Sequence, residues 1–461
     1  MSLPPQTSPL ELFDTLRAED ETAWLETVFT PPPGFETIRG MRSVVVFGAE
    51  GSGKTTLRLA LTRFVREMPG PGAPLIVEWQ AGVPEEVDGG AFVAHFIEEI
   101  LDLAAQALVR HLACQPERFQ QASRFGQEGL TWLIHRYLQT DQELLLMQLE
   151  GEDATSAGLA CLTEIFARTP KTLVSPTAPY PRQLTEVVRT LETAGFGGLW
   201  VLIDNLETWL TLDSAALGRM LTALFSCLAI FDIPGFSLRV MAPSSLKNLV
   251  SASTALARRR FDLFPLEWPG EALRALVERR LALACGQATF RLETLSADPE
   301  LLPWFEKYAG QTPRGWLEFL RPFLDAYLAQ PAHQPLSLEI TTALQQRFPP
   351  RLRLDAALEQ VFLGYQPVLG LSDSSLKLLR YLYTHPARAC RKEELYYRGL
   401  RGLTREPRLS GDSGWEDAKT IEGIIDTALW RLRQSLEPNP SQPLYLVSDR
   451  GKGVLRLENA W

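Results

Sequence analysis

Cysteine is scarce in this chain. Cys114, Cys161, Cys227, Cys285 and Cys390 are five of 461 residues, odd in number and without a C-x-x-C pair. That pattern offers neither a disulfide framework nor a zinc site, and it suits reduced, buried thiols in a cytoplasmic protein. The five histidines lie far apart, show no metal-ligand spacing and read as structural. Long apolar runs are missing as well: none reaches the ~18 residues of a membrane helix, and no basic-then-apolar leader opens the chain. No membrane partner is expected. An excess of positive charge is also lacking. The net charge of −9 excludes a chain-wide nucleic-acid coat, so any DNA-binding surface must be local. Residues 351–461 hold 17 Lys/Arg against 14 Asp/Glu, whereas the rest holds 29 against 41. The C-terminal quarter is mildly basic and the remainder acidic.

Hydrophobic residues at 45% and charged residues at 22% supply ample core for an ordinary globular protein. The length suggests about three domains. The most informative stretch is Val44 to Thr56, VVVFGAEGSGKTT. Val44, Val45, Val46 and Phe47 read as a buried strand, and Leu57–Met68 as a helix. Between them Gly48, Gly53, Lys54 and Thr55 fit the phosphate-loop pattern G-x-x-x-x-G-K-[ST] in its strand–loop–helix context. Glycines let backbone N–H groups wrap an anion, and the new helix turns its positive end toward it. Gly48, Gly51, Ser52, Gly53, Lys54, Thr55 and Thr56 are therefore the expected nucleotide contacts. Lys54 would reach the β- and γ-phosphates, and Thr55 would bind Mg²⁺. The expected cofactors are ATP and Mg²⁺.

Residues 1–40 are proline-rich and read as a lead-in. Residues 41–270 read as the ATPase core, with strands at Leu75–Trp79, Leu199–Ile203, Ser237–Met241 and Phe261–Leu266. A helical insertion is expected at about 91–195, where Phe92, Phe96, Ile100, Leu103 and Ala104 recur at helical spacing. The strand Leu199–Ile203 closes on Asp204, which would present its carboxylate to Mg²⁺ at the sheet's C-terminal edge. Residues 271–350 read as a helical lid. Strands alternating with helices mean an α/β fold around a five-stranded parallel sheet.

The phosphate loop, Ile203-Asp204, the polar strand end at Ser244-Ser245, Arg260-Phe261 and Gly310-Gln-Thr-Pro-Arg314 fall in the order found in AAA+/STAND ATPases. The chain resembles that group over roughly residues 35–330. The resemblance implies that Ser244 or Ser245 senses the γ-phosphate, that Arg314 reaches it from the lid, and that Arg260 projects into a neighbouring subunit of a nucleotide-dependent homo-oligomer. Asn205 stands where many relatives carry a water-orienting glutamate, and Glu207 is the next carboxylate. Slow hydrolysis is expected, with Glu207 as the catalytic carboxylate.

From Arg351 the pattern changes to strand-like segments Leu352–Leu358, Gln360–Leu363 and Pro367–Leu371. Helices at Ser374–Tyr383, Arg391–Arg398 and about Asp417–Leu436 follow, and a hairpin pairs Leu444–Val447 with Gly453–Leu457. Leu378-Leu-Arg-Tyr-Leu382, Arg391-Lys-Glu-Glu-Leu395, Leu436-Glu-Pro438 and Arg450-Gly-Lys-Gly453 carry a resemblance to OmpR/PhoB-type winged-helix domains, covering 351–459. In the third helix Ile421, Ile424, Ile425, Ala428, Leu429, Leu432 and Leu436 define an expected buried face. The opposite face carries Gly423, Thr427, Trp430, Arg431 and Gln434. The resemblance implies that this face, with Lys419 and the wing residues Arg450 and Lys452, contacts duplex DNA. The expected whole is thus a P-loop ATPase followed by an α+β winged-helix domain, read as a nucleotide-switched DNA-binding regulator of transcription. The alternatives are an AAA+ ATPase assembling on DNA in replication or transposition, and a STAND-like signalling ATPase whose winged helix binds protein.

Overall fold

A computed structural model of the chain describes residues 9–14, 18–21, 25–68, 72–80, 89–151, 154–175, 177–355, 360–386, 388–407, 412–449 and 454–460. It forms two compact units, Thr15–Ala272 and Met1–Asp14 with Leu273–Trp461. Among the described residues no helix is long and apolar enough to cross a membrane.

The first unit is an α/β fold built on five parallel strands: β1 (Ser43–Gly48), β2 (Leu75–Trp79), β3 (Leu199–Ile203), β4 (Phe236–Pro243) and β5 (Phe261–Pro265). Their spatial order is β2-β3-β4-β1-β5. The strands β1, β3 and β4 are buried at every position, as interior strands covered on both faces must be. The edge strands β2 and β5 alternate or fade toward solvent. Because all pairings are parallel, Gly48 stands in register with Pro243 and Ile203 with Val240. The loop after β1, the residue after β3 and the turn after β4 therefore leave the sheet along one edge.

Between β2 and β3 the chain forms helices, among them Gly89–Cys114, Arg124–Tyr137, Ser156–Ala167 and Tyr180–Thr193. Phe96, Ile100, Leu108 and Leu112 of the first are fully buried, and Trp79 of β2 meets Phe96 edge-on at 4.9 Å. A charge is also buried on the sheet. Arg239 of β4 stacks on Trp200 at 3.4 Å and donates to Ser237 Oγ and the Gly40 carbonyl. Burial pushes its pKa down to about 9.

The second unit joins helices such as Leu301–Tyr308 and Pro313–Leu328 to two small antiparallel sheets. One contains β6 (Leu352–Asp355), β7 (Gln360–Leu363) and β8 (Gln366–Pro367). The other, in the order β10-β11-β9, contains β9 (Cys390–Arg391), β10 (Leu446–Asp449) and β11 (Val454–Leu457). Around the helices Asp373–Tyr383 and Ala418–Leu436, a core gathers Leu378, Leu382, Leu395, Ile425, Leu432 and Leu455. Tyr365 N donates to the Tyr308 carbonyl at 2.9 Å, which ties β7–β8 to the preceding helices.

Three expectations need correction. Ile424 is 41% exposed rather than buried, because Ile421, Ile425, Ala428, Leu429, Leu432 and Leu436 already fill the inward arc of that helix. The strand expected at Pro367–Leu371 stops at Pro367; one further bond, from Val368 N to the Val361 carbonyl at 2.8 Å, follows before the chain turns to solvent, where Leu369 is 75% exposed. The helix expected at Arg391–Arg398 starts at Lys392 and widens into a π-turn over Leu395–Leu400. Residues 356–358 of the first expected strand, and 408–411 in the loop expected between the second and third helices of this domain, lie outside the described residues.

Candidate functional site

The phosphate loop is set by the strand before it and the helix after it. Its helix runs Lys54–Glu67, with Gly53 as N-cap at φ +90° and Gly51 at φ +75°. Both angles are left-handed, where a side chain is strained. Gly48 is required by crowding instead: a Cβ there would stand 2.2 Å from Ser52 Oγ. The Ser52 carbonyl accepts from Trp268 Nε1 at 2.8 Å, so the segment after β5 braces the turn. Ser52 Oγ is buried and has no hydrogen-bond partner among the described residues. An orphan hydroxyl inside a glycine-rich turn at a helix N-terminus fits a phosphate group. Thr55 and Thr56 follow, half-buried, in the first helical turn.

Lys54 is buried, and its three ammonium protons have three acceptors. These are the Gly48 carbonyl at 3.0 Å, the Ala49 carbonyl at 2.9 Å and Glu207 Oε1 at 2.7 Å. Glu207 lies in the first turn of the helix Leu206–Leu212. Asn205 is its N-cap at φ +64°, a conformation that asparagine tolerates better than most residues. The abrupt turn brings Glu207 to the phosphate loop.

Asp204 is buried and held through both oxygens. Oδ1 accepts from Asn205 N at 2.8 Å, and Oδ2 from Arg58 Nε at 3.1 Å. Arg58 also donates to Glu78 at the end of β2. Sequence reasoning missed Arg58, because an arginine within an amphipathic helix ordinarily reads as solvated. The available signal was its spacing: four residues after Lys54, it falls on the same helix face.

Among the described residues no three His, Cys, Asp or Glu side chains gather into a group able to hold a metal alone. The Thr55 hydroxyl and the Asp204 carboxylate are hard oxygen donors, and the phosphate-binding loop lies beside them. That set fits Mg²⁺, which takes few protein ligands and relies on substrate phosphates.

Ser244 and Ser245 are exposed, in a turn directly after Pro243, the register partner of Gly48. The fold thus brings Lys54, Thr55, Asp204, Glu207 and Ser244 to one edge of the sheet. Arg260 is not among them. It precedes Phe261, which pairs with Ser43 at the opposite end of β1, and it forms an ion pair with Asp232 at 3.0 Å. Arg314 belongs to the second unit. It sits in the first turn of the helix Pro313–Leu328, capped by Thr312 Oγ1, which accepts from Gly315 N at 3.3 Å.

On the helix Ala418–Leu436, Lys419, Thr427, Trp430, Arg431 and Gln434 are exposed, Trp430 by 63%. Thr427 Oγ1 donates back to the Gly423 carbonyl at 2.8 Å. The same surface carries Glu422 and Asp426, both bridged by Lys392, at 3.0 and 2.9 Å. Arg433 is turned inward onto the Leu446 carbonyl at 3.0 Å. Arg450 and Lys452 lie outside the described residues.

No protein-family model and no curated protein sequence matches the chain. Among solved structures it is similar to the Aeropyrum pernix ORC2 protein in ADPNP–ADP complexes, with 13% identity, 98% of this chain and 94% of that one covered, and a TM-score of 0.33. It is also similar to the Aeropyrum pernix ORC1 protein in complex with DNA, with 15% identity, 98% and 93% covered, and a TM-score of 0.32. The ADP form of the ORC2 protein gives 14% identity, 99% and 91% covered, and 0.32. Scores of this size carry no functional argument, which falls to the geometry of the site.

Proposed function

We propose that this chain is an AAA+-type P-loop ATPase that binds MgATP and acts on duplex DNA through a C-terminal winged-helix domain. The observation that carries the ATPase reading is the convergence of Lys54, Thr55, Asp204, Glu207 and Ser244 on one sheet edge, around a turn with a buried, unpartnered serine hydroxyl. Bound Mg²⁺ would neutralise charge between the β- and γ-phosphates. Lys54 exchanges Glu207 for phosphate, the loop amides cradle the anion, and Ser244 meets the terminal phosphate. Glu207, once released, orients the attacking water, with slow turnover because Asn205 fills the usual place of that carboxylate.

The exposed face of the helix Ala418–Leu436 supports DNA contact by Lys419, Arg431 and Gln434. It offers few donors for reading bases, and the Glu422–Asp426 pair narrows the choice further. That balance favours an ATPase assembling along DNA over an operator-specific regulator. A protein-contact role for the domain is the second reading, favoured by the exposed Ile424 and Trp430. Footprinting with a non-hydrolysable ATP analogue tests all three. Extended protection with little sequence preference supports the proposal, a short repeated footprint supports a regulator, and no protection at low salt supports a protein partner.

A further inference from the structure

Arg58 is a cation placed where the phosphate-loop helix would otherwise carry an apolar side chain. Its side chain is only 8% exposed and faces carboxylates from three separate segments. Nε donates to Asp204 Oδ2 at 3.1 Å, one terminal nitrogen donates to Glu78, and the other stands 4.0 Å from Glu19. Glu78 also accepts from Thr62 Oγ1 at 2.9 Å, one helical turn beyond Arg58. The array is therefore anchored on the phosphate-loop helix at both ends. A buried carboxylate without a partner is costly, and a planar guanidinium supplies charge and direction together.

We propose that Arg58 is a positioning residue of the nucleotide site: it holds the Asp204 carboxylate aimed at the place where magnesium accompanies the triphosphate. The inference rests on the ATP reading above. Without the guanidinium, the buried Asp204 and the half-buried Glu78 become two like charges with no counter-ion between them, and Oδ2 loses its anchor. The part of ATP affinity that depends on magnesium should then fall. The part supplied by Lys54 and the loop amides should stay.

The test is calorimetric titration of the full chain with ATP, in magnesium and in EDTA, for wild type, Arg58→Gln, Arg58→Lys, Glu78→Gln and Lys54→Ala. The expected Arg58→Gln result is about a tenfold weaker Kd in magnesium, the low end for loss of a residue that orients a metal ligand, with no change in EDTA. Arg58→Lys, which restores charge without the fork, should recover only part of the loss. An Arg58→Gln protein with wild-type magnesium dependence overturns the inference. Should that variant fail to fold by circular dichroism, Glu78→Gln decides, since it frees the far end of Arg58. A loss confined to magnesium supports the inference, and an equal loss in both conditions, or none, sinks it. Wild type that binds no ATP removes the nucleotide reading and this inference together. Binding abolished by Lys54→Ala, with magnesium dependence intact in the Arg58 variants, removes this inference alone.

Discussion

The Lys54 ammonium and the Glu207 carboxylate stand 2.7 Å apart, and Glu207 fills the one acceptor position of the lysine that the loop's own carbonyls leave open. A triphosphate must take that position from Glu207. Glu207→Gln should therefore tighten ATP binding by about two- to fivefold, the worth of a partly exposed ion pair, while lowering kcat. Calorimetry and a phosphate-release assay read the two effects separately. An unchanged Kd removes the competition, and an unchanged kcat removes Glu207 from hydrolysis.

Lys54→Ala should reduce ATP binding below calorimetric detection, because no other buried cation among the described residues has its charge beside the Gly48 and Ala49 carbonyls. Near wild-type affinity in that variant would falsify the phosphate-loop assignment.

Arg431→Ala in the full chain should weaken binding to every duplex tested. The slope of log K against log salt should fall by about one if the side chain meets a phosphate. Fluorescence anisotropy across a salt series measures this. A variant indistinguishable from wild type at low salt takes Arg431 out of the interface.

Arg260 lies at the sheet edge away from its own loop, so any role at a nucleotide must be played in a neighbouring subunit. Light scattering with a non-hydrolysable ATP analogue should show self-association of wild type and a monomeric Arg260→Ala with ATP affinity intact. Equal assembly by both proteins ends that role.

Stability should depend on acid through His111. Burial, reinforced by nearby Arg118, lowers its pKa from 6.5 to about 4, and its Nε2 has no hydrogen-bond partner among the described residues. The unfolded chain takes up a proton near pH 6.5 and the folded chain only near pH 4. Stability is thus whole above pH 6.5 and falls as pH drops through that window. Thermal melts of His111→Asn should show a shallower decline in Tm from pH 6.5 to 4.5 than wild type. Parallel declines would mean that other groups govern the acid response.

The strands β1 and β3 were legible because each is a short, nearly unbroken apolar run, which a sheet covered on both faces demands, and β2, β4 and β5 because apolar residues still dominate around Glu78, Arg239 and Asp262. The phosphate loop was legible because its glycines and Lys54 answer to local geometry alone. Arg58 was not, since its burial depends on Asp204, 146 positions further along the chain. Nor was the Lys54–Glu207 pair, which needs the left-handed turn at Asn205. Ile424 misled because helical spacing gives the direction of a buried stripe but not its width. The two-residue strand β9 escaped because pairing with β11, and not any run of its own, makes it a strand.

The crowding between Gly48 and Ser52 makes these two positions a single heritable choice. A Cβ at position 48 would meet not only Ser52 Oγ but also Ser52 Cβ, at 3.2 Å. Gly48→Ala alone should therefore damage the loop, and Ser52→Ala should repair it only in part, because the second Cβ remains at 3.2 Å. Ser52→Gly would make room. In chains that share this turn, side chains at the two sites should trade off, so that a lineage gains bulk at one only by giving it up at the other.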